Sequence, residues 1–220
     1  MSLEVPGVVA SLVIAVVPGF VVLCWMAGRN GFKWLAALVG GFGWFLALLL
    51  RYPVFIPMVI YMGATSVVGY IQAGLAGVFE EPVRYFVIKY FYRETGEKRI
   101  VYCIGLGWGL MEALVLYVLN VLVAYMMGTS LILENLVAGA IERNIALLFH
   151  VSAAMIIFVG IKSGDVIKYL LLAIILHGLL NIAAVYLLYV IANPLLIEAV
   201  LGLIVVTVYM LAYFLMHRMD

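Results

Sequence analysis

The chain has 220 residues, of which 68% are hydrophobic and 10% charged, with a mean hydropathy of +1.27 and a formal charge of +1. So apolar a composition excludes a soluble globular domain, and a near-neutral chain without a basic tail gives no nucleic acid anything to bind. Its apolar runs are long enough to cross a bilayer, which predicts an all-α fold, a polytopic transmembrane helical bundle forming one integral membrane domain over 1–220.

The first predicted span covers about Val5 to Ala27, interrupted at Pro18-Gly19. The preceding Met1-Ser2-Leu3-Glu4 has no basic stretch and no small-residue cleavage site follows, so the run reads as a retained span rather than a signal peptide. A second span, about Trp34 to Leu50, carries Gly40, Gly41 and Gly43, which allow close helix approach, and Arg51-Tyr52-Pro53 is expected to stop it. Val54 to Met62 is too short to cross alone and reads as re-entrant or as the end of a bent helix. The third span runs from about Val67 to Phe91, with Glu80 and Glu81 at its middle.

A polar loop is expected over Tyr92 to Arg99. The fourth span, about Ile100 to Tyr125, has Glu112 near its centre; a turn at Met126 to Ser130 leads to a fifth reaching about Ile161. The sixth and seventh cover about Tyr169 to Ile191 and Leu195 to Met216. Seven spans put Arg29, Lys33, Arg93, Lys98, Arg99, Lys162, Lys168 and Arg218 on one side and leave Arg51 alone on the other. The positive-inside rule then places the protein in the cell membrane with its N-terminus outside and its C-terminus in the cytoplasm. Counting 54–66 as a crossing gives the alternative of eight. Cys24 and Cys103 lie in apolar spans and read as buried thiols without a disulfide.

Ionisable groups inside these spans carry the functional signal, because each costs roughly 2.5 to 3.5 kcal/mol at the centre of a membrane helix. On a helix, residues three or four apart share a face, so Arg84 can reach either Glu80 or Glu81; Trp108 with Glu112, and His177 with Asn181, are likewise one turn apart. Arg143 and His150 are seven apart and share a face too. Glu80, Glu81, Glu112 and Glu142 outnumber Arg84 and Arg143 by two, a surplus that calls for a proton or a cation. Each of spans three to six thus offers a polar group to one enclosed site. The bland reading of the same residues is a set of helix-locking ion pairs, above all Glu142 with Arg143. Glu134, Glu198, Lys89 and His217 read as interface or loop residues.

Four stretches in order, Ala73 to Tyr85 with Glu80-Glu81-Pro82-Val83-Arg84, Gly105-Leu106-Gly107-Trp108-Gly109-Leu110-Met111-Glu112, Glu142-Arg143 with His150, and His177-Gly178-Leu179-Leu180-Asn181, resemble the YhfC and PrsW branches of the CPBP superfamily of intramembrane glutamic endopeptidases. Related proteins are the CAAX prenyl endopeptidase and, distantly, the APH subunit of gamma-secretase. The resemblance covers about Val67 to Asn181. Glu112 stands where the CAAX enzymes have a histidine, and Trp108 where YhfC-like members carry one.

The resemblance implies hydrolysis of a membrane-anchored peptide or protein within the lipid bilayer. Glu80 would be the general base on a water, assisted by Glu112 or His150, with His177 and Asn181 stabilising the oxyanion and Glu81 and Arg84 holding Glu80. No cofactor is expected on this route. A zinc variant would use Glu80, Glu112, His150 and His177 as ligands, although no H-E-x-x-H occurs. The non-enzymatic alternatives are a transmembrane scaffold and a proton-coupled transporter; no repeat of the kind many transporters show is apparent.

Overall fold

The computed structural model describes residues 4–218, so the expectations for Met1 to Leu3 and for Met219-Asp220 lie outside the described residues. Seven helices account for nearly all of them: α1 (Glu4–Ala27), α2 (Gly31–Met62), α3 (Ser66–Thr95), α4 (Lys98–Met126), α5 (Leu133–Ser163), α6 (Val166–Val190) and α7 (Pro194–His217). No strand occurs among the described residues. Side chains start several of these helices by accepting amides that have no partner within the first turn. Asn30 accepts from Phe32 and Lys33 at 3.0 and 3.2 Å, Thr65 from Val68 at 3.4 Å, and Asn193 from Leu196 at 3.0 Å.

Several boundaries differ from expectation. Pro18 leaves α1 uninterrupted, and Arg51-Tyr52-Pro53 does not stop α2, which continues helical past Pro53 and Pro57. Residues 54–62 are therefore the end of α2 and neither re-entrant nor a separate crossing. At about 1.5 Å per residue a helix of 32 residues is longer than the roughly 30 Å hydrocarbon core. The loop expected over Tyr92 to Arg99 shrinks to Gly96 and Glu97. Gly96 adopts φ +67°, open to glycine at no steric cost, and its N–H caps α3 on the Tyr92 carbonyl at 2.8 Å.

Among the described residues six helices are long and apolar enough to cross a membrane: α1, α2, α4, α5, α6 and α7. The chain is thus a multi-pass membrane protein by length and composition. α3, with 30 residues, has the length but is diluted by Glu80, Glu81, Arg84, Lys89 and Arg93. It packs between α2 and α6. Short connections make chain neighbours antiparallel, gathering the lysines and arginines other than Arg51, Arg84 and Arg143 toward one end, where Lys33, Lys98, Arg99 and Lys162 line a common recess.

Glycine decides how closely the middle helices approach. A Cβ on Gly107 would lie 1.9 Å from the Ala37 carbonyl oxygen and one on Gly40 2.5 Å from that of Ile104, so α2 and α4 touch backbone to backbone. Gly105 and Gly109 bring α4 equally near to Val151 and Leu147 of α5, and Gly77 brings α3 against Ile174 of α6. α5 is the most enclosed helix, buried on every side from Phe149 to Gly160. Within α4 the turn over Ala113–Val118 widens to π geometry directly after Glu112, redirecting the faces beyond it.

Candidate active site

α3 places three ionisable side chains in one turn and a half, all almost completely removed from solvent. Arg84 Nη1 donates to both Glu81 oxygens at 2.7 Å, and its Nη2 donates to His150 Nδ1 at 2.8 Å. Glu80 is farther away, with its Oε2 at 3.8 Å from Nη2. What holds Glu80 most closely is Trp108, whose Nε1 donates to Oε2 at 2.8 Å. The same indole ring lies under the guanidinium, 4.4 Å from its centroid. The His177 ring and Glu81 meet through Nδ1 and Oε1 at 2.6 Å.

Glu112 is the hub on α4. Its Oε1 accepts from Arg143 at 2.8 Å, and its Oε2 accepts from Trp44 at 2.9 Å and from His150 Nε2 at 2.8 Å. Arg143 also pairs with Glu142, its neighbour on α5. The helix-lock reading of that pair is therefore incomplete, because Arg143 also reaches across to Glu112 on α4. The hydrogen-bond partners assign the His150 tautomer: a guanidinium only donates, so Nδ1 must accept, and the ring proton sits on Nε2, aimed at Glu112. For His177 the carboxylate only accepts, so Nδ1 carries the proton and Nε2 is left for the cavity.

A cavity of about 290 Å³ opens among α2, α3, α4, α5 and α6, with Leu201 of α7 also in its wall. Glu80, Glu112, His150, His177 and Asn181 line it, together with Glu142 and Arg143. Glu81 and Arg84 do not; they sit behind the wall and bind the histidines that do. Asn181 is tied to the Ala73 carbonyl by a long 3.5 Å contact. The wall also includes Trp44, Arg51 and Gln72, which sequence reasoning did not select. The one signal for Trp44 was the adjacent run Gly40, Gly41 and Gly43, which marks the close approach that brings its indole to Glu112.

Ligand atoms of Glu80, Glu112 and His150 lie within 4.8 Å of one another, a cluster of the size that frames a cation. As paired, the trio does not fit a zinc centre. A ligating imidazole offers a bare nitrogen and gives its other N–H to an acceptor. His150 is arranged the other way round, with Arg84 on Nδ1 and its proton on Nε2. Both Glu112 oxygens and one Glu80 oxygen already accept hydrogen bonds from the protein.

No curated protein matches the chain. Residues 127–201, about a third of the chain, match the model of a family described as YhfC intramembrane metalloprotease. The matched stretch holds α5, α6 and the start of α7, and so contains Glu142, Arg143, His150, His177 and Asn181; Glu80 and Glu112 lie outside it. Over that stretch the chain is similar to a family of intramembrane proteases.

Proposed function

We propose that the protein is an intramembrane peptidase that hydrolyses a membrane-anchored peptide or protein with a water activated by Glu80. One observation carries the reading: Glu80 is anchored through a single oxygen by Trp108, while Glu112 and His150 atoms lie within 4.8 Å across the cavity. A water in the cavity beside the free Glu80 oxygen is within hydrogen-bond reach of more than one of these groups. Glu80 takes the water's proton as hydroxide adds to the scissile carbonyl, and returns it to the departing amine.

His177 and Asn181, one helical turn apart, stand beside this position on α6. With its Nδ1–H fixed on Glu81, a protonated His177 presents Nε2–H to the developing oxyanion, and the Glu81 carboxylate balances the imidazolium. Asn181 supplies an amide N–H from the same face. Glu112 orients the water through the remaining lone pair of Oε1, and His150, Trp44 and Arg143 hold that carboxylate in place. With the basic end on the cytoplasmic side, the cavity extends toward the opposite side, since Arg51, Gly69, Val185 and Leu201 all lie in the halves of their helices away from that end.

The competing reading is metal-assisted, favoured by the description of the matched family and by the Glu80, Glu112 and His150 cluster. The test is purified protein in detergent with a set of membrane-helix peptides, comparing wild type with Glu80→Gln and His177→Ala, with and without a chelator. Cleavage that survives Glu80→Gln removes the assigned base, cleavage abolished by chelator transfers water activation to a metal, and no cleavage by wild type leaves the scaffold or transporter readings.

A further inference from the structure

The cavity wall contains one cation that the proposed chemistry does not use. Arg84 and Arg143 each bind carboxylates, the first Glu81 and the second both Glu112 and Glu142. Arg51, on α2, lines the same cavity half-buried, and among the described residues it makes no ion pair and no hydrogen bond. A guanidinium on a helix apolar enough to cross a membrane is costly unless an anion meets it. None of the acids in the wall does: Glu80 is held by Trp108, and Glu112 and Glu142 by Arg143.

Its position along the helix is informative. Arg51 is seven residues beyond Trp44, two turns along the same face, and Trp44 contacts Glu112 directly. The separation is about 10 Å along the axis, directed away from the basic end of the bundle. An extended peptide advances about 3.3 Å per residue, so a chain running from the reacting centre past Arg51 covers the distance in about three residues. The facing polar groups there, Gln72 and Asn181, are neutral amides and do not compete for the guanidinium.

We propose that Arg51 reads the substrate: its guanidinium binds a carboxylate, an acidic side chain or the chain's C-terminal group, about three residues from the bond presented to Glu80. The planar fork suits a carboxylate in a bidentate pair, and desolvation within the cavity strengthens it. The inference rests on the peptidase reading for the identity of what enters the cavity. Arg51 is a specificity residue under it and takes no part in the proton transfers.

Binding rather than cleavage tests it, in a Glu80→Gln background and in nanodiscs of zwitterionic lipid. The probes are labelled peptides with one membrane-spanning apolar segment followed by Asp or Asn, each with a free or an amidated C-terminus. The expected result is a preference of about tenfold for a carboxylate over its amide, as a charge-assisted pair confers. Arg51→Gln should bring that ratio close to one, and Arg51→Lys should keep part of it. The Asp and C-terminal arms show which carboxylate is read.

A ratio unchanged by Arg51→Gln overturns the proposal, including the case where all four peptides lose affinity together, which marks a packing role. So does a preference that is absent in wild type while Arg51→Gln alters retention of phospholipid, since Arg51 then serves a lipid phosphate. If the Arg51-dependent preference is present but active protein cuts none of the peptides, Arg51 keeps its role and the peptidase reading fails.

Discussion

Trp44 Nε1 donates to Glu112 Oε2 across 2.9 Å, joining residues 68 positions apart in the chain. This contact ties α2 to the polar centre, and it exists only because the two helix backbones touch at Gly40 and Gly107. Glu112 is thereby committed on both oxygens, to Trp44 and His150 on one and to Arg143 on the other. Glu80, by contrast, retains an oxygen for the cavity, and that asymmetry between the two carboxylates motivates the division of roles between them.

Gly107→Ala should destabilise the protein by about 3 kcal/mol, because the new methyl would meet the Ala37 carbonyl, and backbone cannot step aside as a side chain can. Gly202→Ala on α7, whose nearest neighbour would be the Ile145 Cδ1 at 3.5 Å, should be neutral or stabilising by up to about 1 kcal/mol from helix propensity. Thermal unfolding of both variants in one detergent makes the comparison. Equal behaviour would contradict the α2–α4 contact.

The Glu81–Arg84 pair is wholly buried, so removing either partner strands a charge. Glu81→Gln and Arg84→Met should each cost about 3 to 5 kcal/mol, whereas the double variant should cost far less than their sum. A double-mutant cycle by reversible unfolding measures the coupling. Additive losses would mean that the pair does not exist as described.

Trp108→Phe keeps an aromatic ring but removes the N–H that fixes Glu80. The loss of a hydrogen bond to a charged group is worth about 1.5 to 3 kcal/mol, which corresponds to about tenfold or more in kcat. KM should change by less than about twofold if the indole positions the base without touching substrate. A rise in KM with kcat intact would assign the ring to substrate binding.

Glu80→Gln should lower hydrolysis by about 100-fold to 10,000-fold, the usual span for a general base, with tryptophan fluorescence reporting an intact fold. Chelator should leave the wild-type rate unchanged, because the proton on His150 Nε2 and the donors on Glu112 stand where a metal would need bare ligands. Loss of activity to chelator, with recovery on adding zinc, would transfer the water's activation to a metal.

Much of the architecture was legible in the chain. Long apolar runs announced the helices, and the charges inside them stood out against so apolar a background that Glu80, Glu112, His150, His177 and Asn181 could be grouped before any coordinates. The stop at Arg51-Tyr52-Pro53 was misread, since proline disturbs one hydrogen bond and one carbonyl while the rest of a long helix carries on through it. Trp44 was invisible as a partner because an indole in a membrane span reads equally well as an interfacial anchor, and Trp108, which spacing sets on one face with Glu112, reaches across to Glu80 on α3 instead.

Local chemistry along the chain dictates that helices form, roughly where they run, and that a few of them carry charges lipid does not tolerate. Which charge meets which depends on distances across helices, and those follow from glycines that let backbones come into contact. Glu80 and Glu81 are adjacent in the chain and look alike on paper, yet successive residues on a helix point about 100° apart. One therefore faces the cavity while its neighbour lies behind the wall, bound to Arg84 and His177.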